Sequence, residues 1–167
     1  MKFQFYLEKL FVSPSFQEFI TENKEAFPCS CFFAIDKEGM DNKQHMDFFV
    51  PSTKKTFSFK LEEKCEMIPL EMIYEKIPEK LSMNYDFDFK EIEKMILEEM
   101  ERKQIKNKIQ KLLFSIQKIN GKEFLIGTIF ISGLALLKVN IEIAEKRITE
   151  FEKASFFEMV KIIKKGD

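Results

Sequence analysis

The chain predicts an α+β fold in which antiparallel meanders pack against helices, and three features of the sequence carry that prediction. Short runs alternate apolar and polar residues with a period of two, as at Met46, Phe48 and Val50, at Phe57, Phe59 and Leu61, and at Leu137, Val139, Ile141 and Ile143. Between them stand helical patterns with N-terminal capping spacing, at Ser15 and Glu18, Asp88 and Glu91, and Ser155 and Glu158. The connections are short and rich in Pro, Asn, Asp and Lys, which suits hairpins rather than parallel crossovers.

Taken in order, Ser15 caps a helix from Phe16 to Ala26, closed by Pro28. The preceding segment is open to two readings, since Phe3, Phe5 and Leu7 alternate while Leu7, Leu10 and Phe11 fit a helix. Strands are expected over Ser30 to Asp36, His45 to Val50 and Phe57 to Leu61, with a fourth over Lys64 to Ile68. Pro69 to Phe87 reads as irregular, with a short helical turn near Glu71 to Glu75. A long helical pattern runs from Asp88 to Ile119 and stops at Asn120-Gly121. A hairpin follows, Glu123 to Ile131 and Leu134 to Ile143, then a further strand over Arg147 to Lys153. A last helix opens at Ser155 and ends in Lys161, Lys164 and Lys165, which suit the negative end of its dipole. The predicted order is helix, three or four strands, long helix, two or three strands, helix. Residues 1–167 form a single domain in this reading, with α-then-β halves over 1–85 and 86–167.

Composition narrows the function. The formal net charge is −1, so no overall field draws the chain to nucleic acid or an anionic membrane. Of 27 basic residues only Arg102 and Arg147 are arginine, which counts against base recognition by forked guanidinium groups. The longest uncharged apolar stretch, Phe124 to Leu137, is short of the ~20 residues of a spanning helix. Glu8 and Lys9 interrupt the N-terminal apolar run and make it a poor signal peptide. With three cysteines, an odd number, these features predict a cytoplasmic protein with free thiols and no membrane segment. The 20 phenylalanines supply apolar bulk that needs no polar partner.

Groups that could carry chemistry are few. Cys29, Cys31, Cys65 and His45 are by type a Cys3His zinc set. A simple hairpin register, however, places His45 beside Ile35, roughly 20 Å from Cys29 at ~3.4 Å per residue. No Gly-x-Ser-x-Gly elbow is present. Gly121-Lys122 lacks the upstream glycine of a phosphate loop, and five glycines leave no dinucleotide fingerprint. The expectation is a non-enzymatic protein with no metal and no cofactor.

The segment from Asp88 to Ile119 is the informative one. On a helical wheel Phe89, Ile92, Ile96 and Met100 fall on one side, and Ile105, Ile109, Leu112, Ile116 and Ile119 on the opposite side. Charge divides at the same place: six acids and two lysines up to Glu101, then seven basic residues and no acid to Lys122. Such a helix would be roughly 48 Å long at ~1.5 Å per residue, wider than a domain of this size. Three readings remain open: a break near Glu101 to Gln104 into two helices, one continuous helix with its second half on a partner, or a basic surface for nucleic acid or an acidic partner. In the second, Ile105, Ile109, Leu112 and Ile116 form a 4-3-4 seam rimmed by Lys106, Lys108 and Lys111. It makes the chain an adaptor- or chaperone-type interaction module, homodimeric through this helix and open to other protein partners. The alternative is a small-molecule binder that holds an apolar ligand between the Phe/Met-rich sheet face and a helix.

Overall fold

The computed structural model describes residues 2–71 and 76–158. The order is α1 (Phe3–Phe11), α2 (Pro14–Glu22), β1 (Phe27–Asp36), β2 (Lys43–Val50), β3 (Lys55–Lys60), β4 (Glu66–Leu70), α3 (Phe89–Arg102), β5 (Ile109–Ile119), β6 (Lys122–Ile131), β7 (Ala135–Glu142) and β8 (Arg147–Ser155). All eight strands form one antiparallel sheet in the order β4-β3-β2-β1-β5-β6-β7-β8. That order is palindromic. Each half is a four-stranded meander, the first preceded by α1 and α2 and the second by α3, and the halves meet where β1 lies against β5.

The α+β class and the antiparallel meanders are present; the N-terminal segment takes the helical one of its two expected readings, and the second helix, the strand count of the second half and the long helix differ from expectation. The N-terminal segment is a helix, α1, which buries Phe3, Tyr6, Leu7 and Leu10. The next helix begins at Pro14 with Ser13 at its cap, so the box at Ser15 and Glu18 does not form. Proline suits the first helical position because its missing N–H has no partner there anyway, and Ser15 Oγ donates instead to the Cys65 carbonyl at 3.1 Å. Each half carries four strands. The long helix ends after 14 residues, and the chain beyond it is a strand. The helical turn expected near Glu71 to Glu75 lies largely outside the described residues.

The end of α3 explains that last difference. Gln104 adopts φ 56°, its N–H donates to the Glu101 carbonyl, and the Ile105 N–H donates to the Met100 carbonyl at 2.8 Å. These are the two bonds of a Schellman stop, here built on glutamine where glycine is usual. The break falls at Glu101 to Gln104, where the apolar stripe changes side. Beyond it Leu112, Phe114 and Ile116 point to the core while Leu113 and Ser115 point away, which is period two. A bulge between Ile109 and Lys111 sets Ile109 opposite Ile131, so both pack toward the core. Asn120-Gly121, with φ 51° and 79°, is the two-residue turn of the β5–β6 hairpin.

At its other end α3 starts as the sequence predicts. Asp88 accepts from the Lys90 N–H at 2.8 Å and Glu91 reaches back to the Asp88 N–H, a reciprocal capping box. Asp88→Ala should cost about 1 kcal/mol of stability, read as a lower midpoint in urea with an unchanged slope. The box at Ser155 and Glu158 also forms, and residues 156–158 are helical. The rest of that predicted helix lies outside the described residues.

All three named helices lie on one face of the sheet, above one core shared by both halves. Its centre is aromatic. Phe16 stands 5.0 Å from Phe48 and 5.2 Å from Phe59, and Phe33 stands 4.7 Å from Phe89. The sheet's outer edges resist extension. Pro69 withholds a donor from β4, and on β8 any antiparallel copy centred on Phe151 would set Glu150 against Glu152.

Candidate functional site

The predicted interface residues do not form a helical seam. Leu112 and Ile116 are buried in the core beneath the helices. Ile105 and Ile109 are half-buried against the same core. Lys106 and Lys108 are exposed on the connection from α3 to β5, and Lys111 pairs with Asp41. The helix-borne form of the interface is therefore corrected: four of its seven residues serve the fold.

The thiol and histidine constellation also sorts differently. His45 lies opposite Phe32, three residues from the expected Ile35, because the β1–β2 turn closes with Ala34 opposite Lys43 and sets the register from there. The 20 Å separation thus falls away, but the side chains still diverge. Cys31 is fully buried on the helix face, where burial pushes its thiol pKa well up. His45 stands on the opposite face, its ring 5.8 Å from Phe32 and its Nε2 3.1 Å from Glu62 Oε1. Cys65, in the β3–β4 connection, is half-buried against the core. Among the described residues no three His, Cys, Asp or Glu side chains gather as a metal site.

The surface that stands out is the sheet face opposite the helices. Among the described residues no named helix covers it. Strand alternation puts Phe32 of β1, Leu113 of β5, and Phe124, Ile126 and Phe130 of β6 on this face, all half-buried. Ser115, which lies between Phe32 and Ile126 in register, and Thr128, opposite Leu113, fill the middle of the strip. Charged and polar side chains border it: Lys43 and His45 on β2, and Lys138 and Asn140 on β7.

One end of the strip holds an unusual polar group. Asp47, on β2, lies opposite Ser30 on β1 and Ser58 on β3. Its Oδ1 is buried without a hydrogen-bond partner. Burial raises the carboxyl pKa above its usual 3.8, while the Ser58 and Ser30 hydroxyls and His45 act the other way. Ser58 and Thr56 beside it are almost fully buried, and Phe27 packs on Phe49 at 5.6 Å to close that corner of the face. Sequence reading missed this surface because each strand was scored for its apolar stripe alone. The signal was there: Phe32, Leu113, Phe124, Ile126 and Phe130 are apolar at the positions where a solvated face calls for polar residues.

Of the crevices at the margins of the helix layer, two lie between helices and sheet. The larger, about 560 Å³, lies between α1 and α3 above the end of β1, with Phe5, Tyr6, Ile35, Leu61 and Phe89 as its apolar lining. The Lys37–Glu93 ion pair at 2.6 Å ties the β1–β2 turn to α3 at its rim. Lys9 Nζ donates to the Leu61 and Glu62 carbonyls on the other side. The smaller crevice, about 260 Å³, lies between Ile92 of α3 and the sheet residues Leu125 and Ile141.

No family description matches the chain, and no curated protein matches it. Among solved structures it is similar to the crystal structure of a Clostridium difficile protein named a "putative lipoprotein", with a TM-score of 0.56 and 13% identity over 84% of this chain and 90% of that one. At that identity the likeness is one of fold. No helix among the described residues is long and apolar enough to cross a membrane.

Proposed function

We propose that the chain is a non-enzymatic protein-interaction module of adaptor or chaperone type, homodimeric through the sheet face opposite its described helices. One observation carries the reading: five large apolar side chains, Phe32, Leu113, Phe124, Ile126 and Phe130, lie together on a face that the described helices leave uncovered. Contiguous apolar surface of this kind marks interaction sites on proteins that otherwise keep charge outside. Two such faces packed as sheet on sheet would interdigitate these side chains about 10 Å apart, as in a β-sandwich. The charged, self-repelling edge of β8 and Pro69 on β4 favour face-to-face over edge-to-edge association. Three free thiols suit a reducing compartment, in keeping with a cytoplasmic site of action.

Light scattering at micromolar concentration tests the reading. The wild-type chain should show a doubled mass, and Ile126→Glu should reduce it to a monomer with an unchanged circular dichroism spectrum. A monomeric wild type would overturn it. The second reading, a binder of small apolar molecules, draws on the two crevices between helices and sheet, whose linings are largely apolar. Native mass spectrometry separates the two, since the binder should carry a co-purified apolar species at monomer mass.

A further inference from the structure

The crevice between α1 and α3 combines an apolar lining with two hydrogen-bond donors from one helix. Tyr6 and Lys9 stand three residues apart on α1, so their side chains share a face of it, and both line the crevice. Around them lie Phe5, Ile35, Leu61 and Phe89. Phe5 is 54% exposed, so an occupant would cover an aromatic side chain that the fold leaves open. At about 560 Å³ the space falls within the about 300–1,000 Å³ of small-molecule sites.

Each donor has capacity that the fold does not use. The Lys9 ammonium carries three N–H groups. It donates to the Leu61 and Glu62 carbonyls, the second at 2.9 Å. Among the described residues no carboxylate forms an ion pair with it. Tyr6 is only 6% exposed. Its hydroxyl has no hydrogen-bond partner among the described residues, yet it is not sealed from solvent as the Tyr85 hydroxyl is. The crevice that Tyr6 lines is the opening for it. Burial pushes the Tyr6 pKa up, so the hydroxyl remains a donor at neutral pH. The acids around the crevice are engaged elsewhere. Glu62 Oε1 lies 3.1 Å from His45 Nε2 and accepts the Gln44 N–H, Glu93 pairs with Lys37, and Asp36 Oδ1 accepts the Glu38 N–H at 3.0 Å.

We infer that this crevice binds a small amphiphilic monocarboxylate of the medium-chain fatty-acid type, its carboxylate on Lys9 and Tyr6 and its hydrocarbon along Phe5, Ile35, Leu61 and Phe89. The inference rests on the ligand-binding reading of the crevice, to which it adds a ligand class and two recognising groups, and it is independent of the open sheet face. Two donors, one of them cationic, match the two oxygens and the single charge of a carboxylate. A phosphate monoester would bring about two charges beside Glu62 and Glu93. Lys9 alone is fixed in place to meet them, since Lys37 is spent on Glu93 and Lys90 is exposed. The hydrocarbon supplies affinity in proportion to the apolar area it covers, and the two donors set which end of the molecule lies against α1.

Isothermal titration calorimetry of the full chain with decanoate and with 1-decanol, its neutral counterpart of equal length, tests the assignment at neutral pH. The wild type should bind decanoate roughly tenfold more tightly than decanol. Lys9→Met keeps an apolar stem, removes the ammonium, and should erase that preference while leaving decanol binding unchanged. Tyr6→Phe should weaken decanoate by roughly threefold to tenfold and leave decanol unchanged. It keeps the Lys9 bonds to the two carbonyls, so it decides the matter even where Lys9→Met lowers stability. Ile126→Glu, on the open face, should bind decanoate as the wild type does. Equal affinity for decanoate and decanol, or decanoate binding indifferent to Tyr6→Phe, overturns carboxylate recognition and leaves the crevice as a purely apolar site. Decanoate binding lost in Ile126→Glu and kept in Tyr6→Phe moves the ligand to the open face and overturns the inference. A wild type that binds neither probe overturns the inference and the ligand-binding reading together.

Discussion

Ile116→Glu should unfold the protein at neutral pH. Ile116 is completely buried on the helix-facing side of β5, opposite Cys31 on one neighbour and Leu125 on the other. None of these offers a partner to a carboxylate. An uncompensated charge in such a place costs about 3–5 kcal/mol or more, against a total of about 5–15 kcal/mol for a typical domain. The variant should show a lost or strongly lowered urea midpoint, partly rescued by acid as the glutamate protonates. A well-folded Ile116→Glu protein with wild-type stability would mean that β5 does not present this side chain to the core. The experiment also separates the two interfaces considered above. A helical seam would lose only its partner on substitution at Ile116, whereas a core strand loses its fold.

Phe33→Ala should cost about 3–5 kcal/mol. Phe33 joins three elements: its ring lies 5.9 Å from Phe3 and 5.3 Å from Tyr6 of α1, and 4.7 Å from Phe89 of α3. Removing it opens a cavity under both halves at once, between elements too rigidly paired through β1 and β5 to collapse around it. Urea unfolding should show the loss in the midpoint. The adjacent Phe32→Ala should cost far less, because Phe32 faces the open side and is only half-buried. Equal losses at 32 and 33 would contradict the one-sided helix layer.

Much of the fold was legible wherever a stretch carried one period. Met46, Phe48 and Val50 face the core as expected, as do Phe59 and Leu61, and Leu137, Val139 and Ile141. The capping signal at Asp88 was equally plain, since Asp followed by Glu three residues on forms the reciprocal bonds found there. The failure was at β5. Ile105, Ile109, Leu112, Ile116 and Ile119 are spaced for a helix only if Leu113, Phe114 and the β-branched content of the segment are set aside. Asn120-Gly121 was read as a helix stop although it is also the strongest short-range hairpin signal. The true stop, Gln104 in a left-handed conformation, carries no glycine to announce it. The candidate surface was harder still. Which side of a strand remains open depends on where all the helices settle, and that is decided by packing across the whole sheet.

The palindromic order of the strands bears on how the chain reaches its native state. Within each half every strand pairs with its sequence neighbour, so the hairpins close short loops and can form early. The β1–β5 ladder is different. It joins Cys31 to Ile116 and Asp36 to Lys111 across about half of the chain, and among the described residues it is the one strand pairing that links the two meanders. Its closure carries the largest entropic cost of any pairing in the sheet. On that cost the two meanders should assemble first and zip together last, with β1 and β5 as bare edges until they do. Dilution and a slow ramp out of denaturant should favour correct joining, because at high concentration the same bare edge can be claimed by the wrong molecule.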